Sequence, residues 1–496
     1  MTGDAARRGR GWSAAALALA LAACATPGAP PPARLLGPMA AEVGPESAVL
    51  WARGDRSGRL HARVAREDGS EAFETSVPLF ATDDFTGHIE LRGLRPATAY
   101  RYRLRFVAAE GDPAAAAPVL KGRFRTAPPE HEAAPVRLAF GGDLAGQNVC
   151  RDAREGFPIF RAVARSRPDL FVGLGDMIYA DGVCTEVGAY GNPQIPGGFG
   201  PATRLEEFWA HWRYAREDPA FAALLASTPY VAVWDDHEVV NDFGPHDDRR
   251  SEPPYQPEEP LMPLGLAAFL DYNPIPGRDA ASPRLYRSLR WGRHLELFVL
   301  DTRQHRDASA RPDAPEAPKS MLGEEQREWL LEALARSDAT WKVVVTSVPL
   351  SVPTGRPEAR DGWANFRQAG GYERELVGIL ARLRDAGVSR TLWLTTDVHF
   401  AAVFRYAPFP ETPGFGLHEV VTGPLQAGVF GNDRFDETLR GERLFAHRPD
   451  DFRQVATWEE ARRYFSFGLL DVDASGRLAI RILDADGRSL YELALE

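Results

Sequence analysis

From Leu35 to Thr126 short apolar runs alternate with polar ones, and turn residues separate them, as at residues 48–53 and 61–66. A period of two with frequent turns predicts a β-sandwich. Over residues 94–104 this period puts Tyr100, Tyr102 and Leu104 on one face of a strand, and residues 121–126 would supply the last strand. Pro128, Pro129 and Pro135 then break the pattern and mark a boundary.

Beyond Pro135 the period becomes strand, loop, helix, repeated, which predicts an α/β unit over residues 135–496 after the all-β unit at 35–127. Strands are predicted at residues 137–140, 170–174, 230–234, 295–300, 342–346 and 391–395. Each is short and mostly apolar, as a strand buried on both faces must be. Helices are predicted at 205–216, 324–336 and 372–385, the last ahead of Gly387. Residues 243–263, rich in Pro, Asp and Arg, have no period and predict a long surface loop. Residues 467–495 predict a closing hairpin or meander.

At the amino terminus Arg7, Arg8 and Arg10 precede an apolar run of 12 residues from Trp12 to Ala23, the length of a secretory signal core and too short to span a bilayer. Leu21-Ala22-Ala23-Cys24 and the Pro/Ala-rich stretch after it resemble the lipobox and tether of bacterial lipoproteins. The expectation is a signal peptide over residues 1–23, lipidation of Cys24 and a tether over 24–34, with the protein exported to the periplasm or cell envelope and held to the membrane through Cys24. An ordinary signal peptide cut near Ala23 is the plainer alternative.

The 496 residues carry 58 Lys+Arg against 69 Asp+Glu, a formal charge of −11, and 44% of them are hydrophobic. This composition excludes a disordered tail protein and a polytopic membrane protein, and its average field repels polyanions, so no nucleic-acid-binding surface is expected. Only Lys121, Lys319 and Lys342 are lysines, and the arginine excess reads as background. Besides Cys24 there are Cys150 and Cys184. A disulfide between them and metal ligation by Cys150 both stay open.

Four apolar runs lead to an Asp: Gly142-Asp143, Gly175-Asp176 with Tyr179 behind it, Asp235-Asp236-His237, and Asp397-Val398-His399. Carboxylates, a phenol and imidazoles gathered at the ends of adjacent strands make a nest for hard or borderline cations, and an Asp can bridge two of them. One Gly-Asp pair alone marks a turn. Trp234-Asp235-Asp236-His237-Glu238 says more, because four ionisable residues directly after a buried run are costly without a metal or tight hydrogen bonding. His61, His88 and His131 read as surface residues and His211 as a packed one. His246, Asp247 and Asp248 read as a solvated cluster or a substrate lid.

In this order the segments resemble the PhoD-like (alkaline phosphatase D) branch of the metallophosphoesterases, related to purple acid phosphatases, from about Leu35 to the end. Residues 140–147 resemble the opening motif of one subgroup, and Gly175-Asp176-Met177-Ile178-Tyr179 resembles the Gly-Asp-x-x-Tyr motif shared with purple acid phosphatases. Residues 234–238 with Asn241 nearby resemble the most characteristic run; residues 300–303, 322–326 and 419–425 resemble further segments, and Asp397-Val398-His399 the last metal motif.

The resemblance implies a four-layer α/β/β/α sandwich behind an all-β fibronectin type III-like domain, and hydrolysis of phosphodiesters, phosphomonoesters or both by a metal-bound hydroxide. It implies Fe3+ held by Tyr179, Asp143, Asp176 and His399, beside a divalent site, Ca2+, that takes Asp176 as bridge with Asp236 and Asp397. His237 would face the substrate as general acid, with Asn241 and Arg303 as substrate contacts; for Arg303 a strand-end salt bridge is equally open. The chain departs from the pattern where Asp143 replaces the Cys of some members, where Thr396 replaces a Gly, and where Ser347 stands in place of a His of purple acid phosphatases. The last makes the divalent site rich in oxygen, as calcium prefers. A second reading is an anchored binding or structural lipoprotein with an inactive phosphatase-like domain.

Overall fold

The strands of the second unit are apolar at successive positions because both of their faces are covered. In the computed structural model, which describes residues 34–109, 119–278, 283–432 and 434–496, Leu138 and Phe140 enter one core and Ala139, between them, another. Val343 and Val345 likewise enter the first core, and Val344 a third. Period two with no polar face is the signature of a sheet inside a layered stack.

Two sheets make the inner layers. One has nine strands, in the order Ser489–Leu495, Leu478–Asp484, Ser466–Val472, Val136–Gly141, Leu170–Gly173, Tyr230–Ala232, Leu36–Ala41, Ser47–Arg53 and Thr86–Arg92. The other has seven: Arg287–Trp291, Leu295–Val299, Trp341–Val345, Thr391–Thr395, Leu417–Val421, Ala401–Tyr406 and Gly441–His447. The central strands of each pair in parallel. Leu138, Val172 and Val231 of the first sheet meet Leu297, Val343 and Leu392 of the second in a shared core. Helix Leu205–Arg216, with Phe208 and Trp212, covers the outer face of the first, and helices Gly323–Arg336 and Glu373–Asp385 cover the second through Leu330, Leu334, Leu376 and Leu380. The result is the expected α/β/β/α order.

The amino-terminal strands form the expected all-β sandwich. Strands Phe73–Leu79, Gly58–Arg66, Ala99–Ala108 and Val119–Arg125 make one sheet, and it packs Leu60, Val64, Tyr102 and Leu104 against Leu50 and Leu91. Tyr100 turns the corner: its hydroxyl accepts the Arg95 N–H at 2.9 Å. The opposing sheet is shared with the second unit. Ala41 pairs in parallel with Tyr230, and the Trp51 indole donates to the Asp271 carbonyl at 2.8 Å. His88, read from sequence as a surface residue, is instead tucked against that carbonyl with Nε2 at 3.0 Å. The sandwich thus braces the strand that leads into Asp235 and Asp236.

Residues 243–261 run without regular structure, and Asp248 ends the loop by accepting the Met262 N–H at 3.0 Å, at the start of helix Met262–Tyr272. Asp248 is buried and structural, whereas His246 is exposed. Three strands between Ser466 and Leu495 form the predicted meander. The signal peptide, Cys24 and all but the last residue of the tether lie outside the described residues. Among the described residues no helix is long and apolar enough to cross a membrane.

Candidate metal centre

The chain reverses sharply as it leaves three of the four strands. Asp143, Asp176, Asp397 and His399 take positive φ of 61°, 53°, 74° and 57°, a region that costs a non-glycine residue roughly 1–3 kcal/mol. Hydrogen bonds over-determine these turns. The Leu144 N–H donates to the Asp176 carbonyl at 2.7 Å, the Gln426 N–H to the Asp143 carbonyl at 3.1 Å, and the Thr396 N–H to the Ser347 carbonyl at 2.8 Å. Gly423, at φ 127°, has no room for a side chain: a Cβ there would sit 2.2 Å from Asp143 Oδ2.

Glu238 fastens two of the turns together. Its buried carboxylate accepts the N–H groups of Asp176 at 3.0 Å, Met177 at 2.7 Å and Asp235 at 2.8 Å. Burial raises its pKa to about 7, against the pull of those donors.

Held in this way, the side chains converge. Ligand atoms of Asp143, Asp176 and His399 lie within 4.8 Å of one another, as do those of Asp176, Asp236 and His237, and those of Asp235, Asp236 and Asp397. Asp176 belongs to two groups and Asp236 to three, the third with Asp242 and Asp361, an arrangement that suits more than one cation. The Tyr179 hydroxyl is 2.8 Å from His399 Nε2. His399 Nδ1 faces the Gly428 carbonyl at 2.5 Å, so that nitrogen carries the proton and Nε2 keeps its lone pair for the centre. Burial drops the His399 pKa to about 3 and keeps the ring neutral.

Four carboxylate oxygens in the centre are buried with no hydrogen-bond partner: Asp176 Oδ2, Asp235 Oδ2, Asp236 Oδ1 and Asp397 Oδ2. Such orphans are expensive unless a cation meets them. The titration behaviour of the protein side chains says the same. Burial, with the neighbouring carboxylates, pushes Asp176 and Asp397 well above the usual range, and burial raises Asp143 to about 8 although the Thr396 hydroxyl bonds it. Tyr179 is raised strongly for the same reasons. Cations would reverse all four shifts, so the residues present fit a multinuclear metal site.

His237 sits at the edge of this group. Its ring stacks on Tyr179 with centroids 4.1 Å apart, its backbone N–H donates to Asp176 Oδ1 at 3.1 Å, and its ring Nδ1 is 2.7 Å from Asp181 Oδ1. Burial alone would lower its pKa; attraction to Asp181 and Asp236 outweighs it and carries the group to about 10. Sequence reasoning misses Asp181, though its place two residues after Tyr179 in the same loop is a usable signal. The other Asp181 oxygen accepts the Asn241 N–H at 2.9 Å. Asn241 is exposed and lines a cavity of about 630 Å3 with Asp242, His246, Arg249 and Arg356. A larger cavity of about 1010 Å3 lies by Val136 and Asp471, at the start of the strand whose far end carries Asp143, and has no part in the centre.

One expectation needs correction. Arg303, anticipated at the substrate, is 0% exposed. Its guanidinium donates to both Asp361 oxygens at 2.7 Å, to Asp235 Oδ1 at 2.8 Å and to the Phe243 carbonyl at 3.2 Å. Every donor is spent beneath the centre, and the salt-bridge alternative holds. Of the two readings left open for Cys150, the disulfide with Cys184 is the one formed, and the metal-ligand alternative falls. Ser347 donates its hydroxyl to Asp235 Oδ1 at 2.8 Å and supports that carboxylate.

The comparisons agree with this geometry. The family described as PhoD-like phosphatase matches residues 139–477, and its N-terminal domain matches residues 23–128. Alkaline phosphatase D of Bacillus subtilis (strain 168) is 26% identical over 380 residues, which span 70% of this chain and 60% of that protein's length. The solved structure of PhoD superposes with a TM-score of 0.69 at 19% identity, covering 92% of this chain and 91% of the other. A purple acid phosphatase from yellow lupin (Lupinus luteus) seeds superposes with a TM-score of 0.58 at 13% identity, covering 93% of this chain and 74% of its own. With more than half its length matched, and with the carboxylate centre at the ends of both sheets, the chain belongs to the PhoD-like phosphatase family.

Proposed function

We propose that the protein is a metal-dependent phosphoesterase that hydrolyses phosphodiesters, phosphomonoesters or both. The observation that carries this reading is the set of four buried carboxylate oxygens without a hydrogen bond on Asp176, Asp235, Asp236 and Asp397, that of Asp236 having a cation, Arg303 at 3.8 Å, near it. An inactive scaffold would have no reason to keep such a cost. Asp143, Asp176, Tyr179 and His399 would hold a ferric ion, and Asp176, Asp236 and Asp397 a divalent ion, calcium by its preference for oxygen. Bound there, cations neutralise charge on the phosphoryl oxygens and make a water nucleophilic at moderate pH.

The chain's own residues do the rest. Asp181 holds the Nδ1 proton of His237, which leaves Nε2 to face the reacting group and deliver a proton to the departing oxygen. Asn241, on the rim of the adjoining cavity, orients the ester. Arg303 and Asp361 keep Asp235 in place from below. The sequence of residues 1–34 supports export and anchoring through Cys24. The test is hydrolysis of a chromogenic phosphodiester by the purified chain as isolated, after chelation, and after iron and calcium are restored. Activity that falls on chelation and returns only with both ions is the expected result; a folded protein inactive under every loading favours the binding lipoprotein.

A further inference from the structure

A chain of aromatic rings leads from His237 to the surface. His237 stacks on Tyr179 at 4.1 Å and 28°, Tyr179 meets His399 edge-on at 6.1 Å, His399 stacks on Phe430 at 4.6 Å and 29°, and Phe430 meets Phe452 edge-on at 5.8 Å. Exposure climbs along it, from 3% at Tyr179 and 2% at His399 to 37% at both Phe430 and Phe452.

The outer rings are held in place. The Gly428 N–H donates to Gln147 Oε1 at 3.1 Å and the Val429 N–H to the Tyr190 hydroxyl at 2.8 Å, while the Gly428 carbonyl takes His399 Nδ1. Phe452 opens a short 3-10 turn that Asp451 caps, and the Arg453 guanidinium lies 5.7 Å from its ring centroid. The exposed large apolar side chains among the described residues fall in two places. Phe73, Phe80 and Val119 belong to the amino-terminal sandwich; Val183, Val187, Phe430 and Phe452 belong to loops around the centre. Asn148 ties the carbonyl of Val187 to the loop beneath Tyr179. Aromatic side chains left part-exposed beside a polar reaction site, one of them stacked on a residue of that site, mark where an apolar part of the ligand rests.

We propose that Phe430 and Phe452 form a stacking shelf for a planar aromatic group of the ester, an aryl ring or a nucleobase, carried on the phosphorus substituent that is retained. The inference rests on the phosphoesterase reading and names the substrate class of that site. Planar rings gain from offset or edge contact with phenylalanine beyond what burial alone gives, and the Arg453 cation over the shelf favours π-rich groups further.

The test compares bis(4-nitrophenyl) phosphate with methyl 4-nitrophenyl phosphate, which share a leaving group and differ in what the shelf would hold. Phe452→Ala is expected to lower kcat/KM for the aryl diester about three- to tenfold more than for the methyl diester, through KM, and Phe452→Trp to restore it. An unchanged ratio in Phe452→Ala overturns the proposal. So does full retention by Phe452→Leu, which would mean that a flexible chain, not a ring, covers the shelf. Calorimetric binding of phenylphosphonate against methylphosphonate reads the shelf without turnover. A preparation that hydrolyses neither ester but prefers the phenyl ligand rejects the activity and keeps the shelf; equal affinities reject the shelf.

Discussion

Asp181 and His237 meet through one short contact, Oδ1 to Nδ1 at 2.7 Å, with both side chains largely withdrawn from water. The carboxylate fixes which ring nitrogen carries the outward-facing function, and its second oxygen fixes the loop at Asn241. Asp181 therefore acts through His237 and is not itself a member of any of the ligand groups.

Asp181→Asn should lower kcat roughly 10- to 100-fold and leave metal content unchanged. The loss should be larger for phenyl esters than for 4-nitrophenyl esters, because only the poorer leaving group needs its proton. A uniform loss across leaving groups would assign Asp181 to loop structure alone.

Glu238→Gln should destabilise the fold by about 2–3 kcal/mol, since an amide offers one acceptor oxygen where three N–H groups converge and turns an NH2 against the others. Urea denaturation measures this, and metal stoichiometry should fall with it. Tyr179→Phe should leave stability near that of the parent, remove any visible iron–phenolate band and reduce turnover. Retention of both colour and rate would remove Tyr179 from the ligand set.

His211 makes stability depend on pH. It is 3% exposed, packed on Phe199 at 3.8 Å, with Nε2 on the Gly200 carbonyl at 3.1 Å. Burial lowers its pKa to about 4 from an ordinary 6.5, despite that hydrogen bond. Between those values the unfolded chain binds the proton and the folded chain does not, so this contribution is complete above pH 6.5 and is lost as pH falls toward 4. By pH 5 the loss is about 2 kcal/mol. His211→Gln, which keeps a donor for Gly200, should show a smaller drop between pH 7 and pH 5 in chemical denaturation.

Much of this was legible beforehand because period and placement coincide. The run from Tyr230 ends in a strand and then in Asp235-Asp236-His237, and residues 391–395 are a strand that delivers Asp397 and His399. Helix Leu205–Arg216 has the predicted ends. What the pattern does not carry is partnership across the chain. His88 looks like a strand-surface residue until Asp271, 183 positions away, covers it. Glu238 looks like one more charge in an acidic run until the N–H groups of Asp176 and Met177 are folded onto it. Arg303 presents a cation beside a strand end, and only the position of Asp361 decides which way it faces.

That decision has a measurable consequence. Arg303 is wedged between Asp235 and Asp361, and Arg306 bonds Asp361 Oδ1 at 2.5 Å from the other side. A substrate-binding arginine, once truncated, raises KM and leaves the fold intact. A buried one leaves carboxylates without their counter-charge, which costs about 3–5 kcal/mol. Arg303→Met should therefore cut soluble yield and lower the denaturation midpoint, and in whatever fraction folds KM should stay within about twofold of the parent. Arg303→Lys, which keeps the charge but cannot serve Asp235 and Asp361 together through a planar fork, should recover only part of the stability. A stable Arg303→Met protein with a raised KM would return Arg303 to the substrate and require the loop around Asp361 to open during turnover.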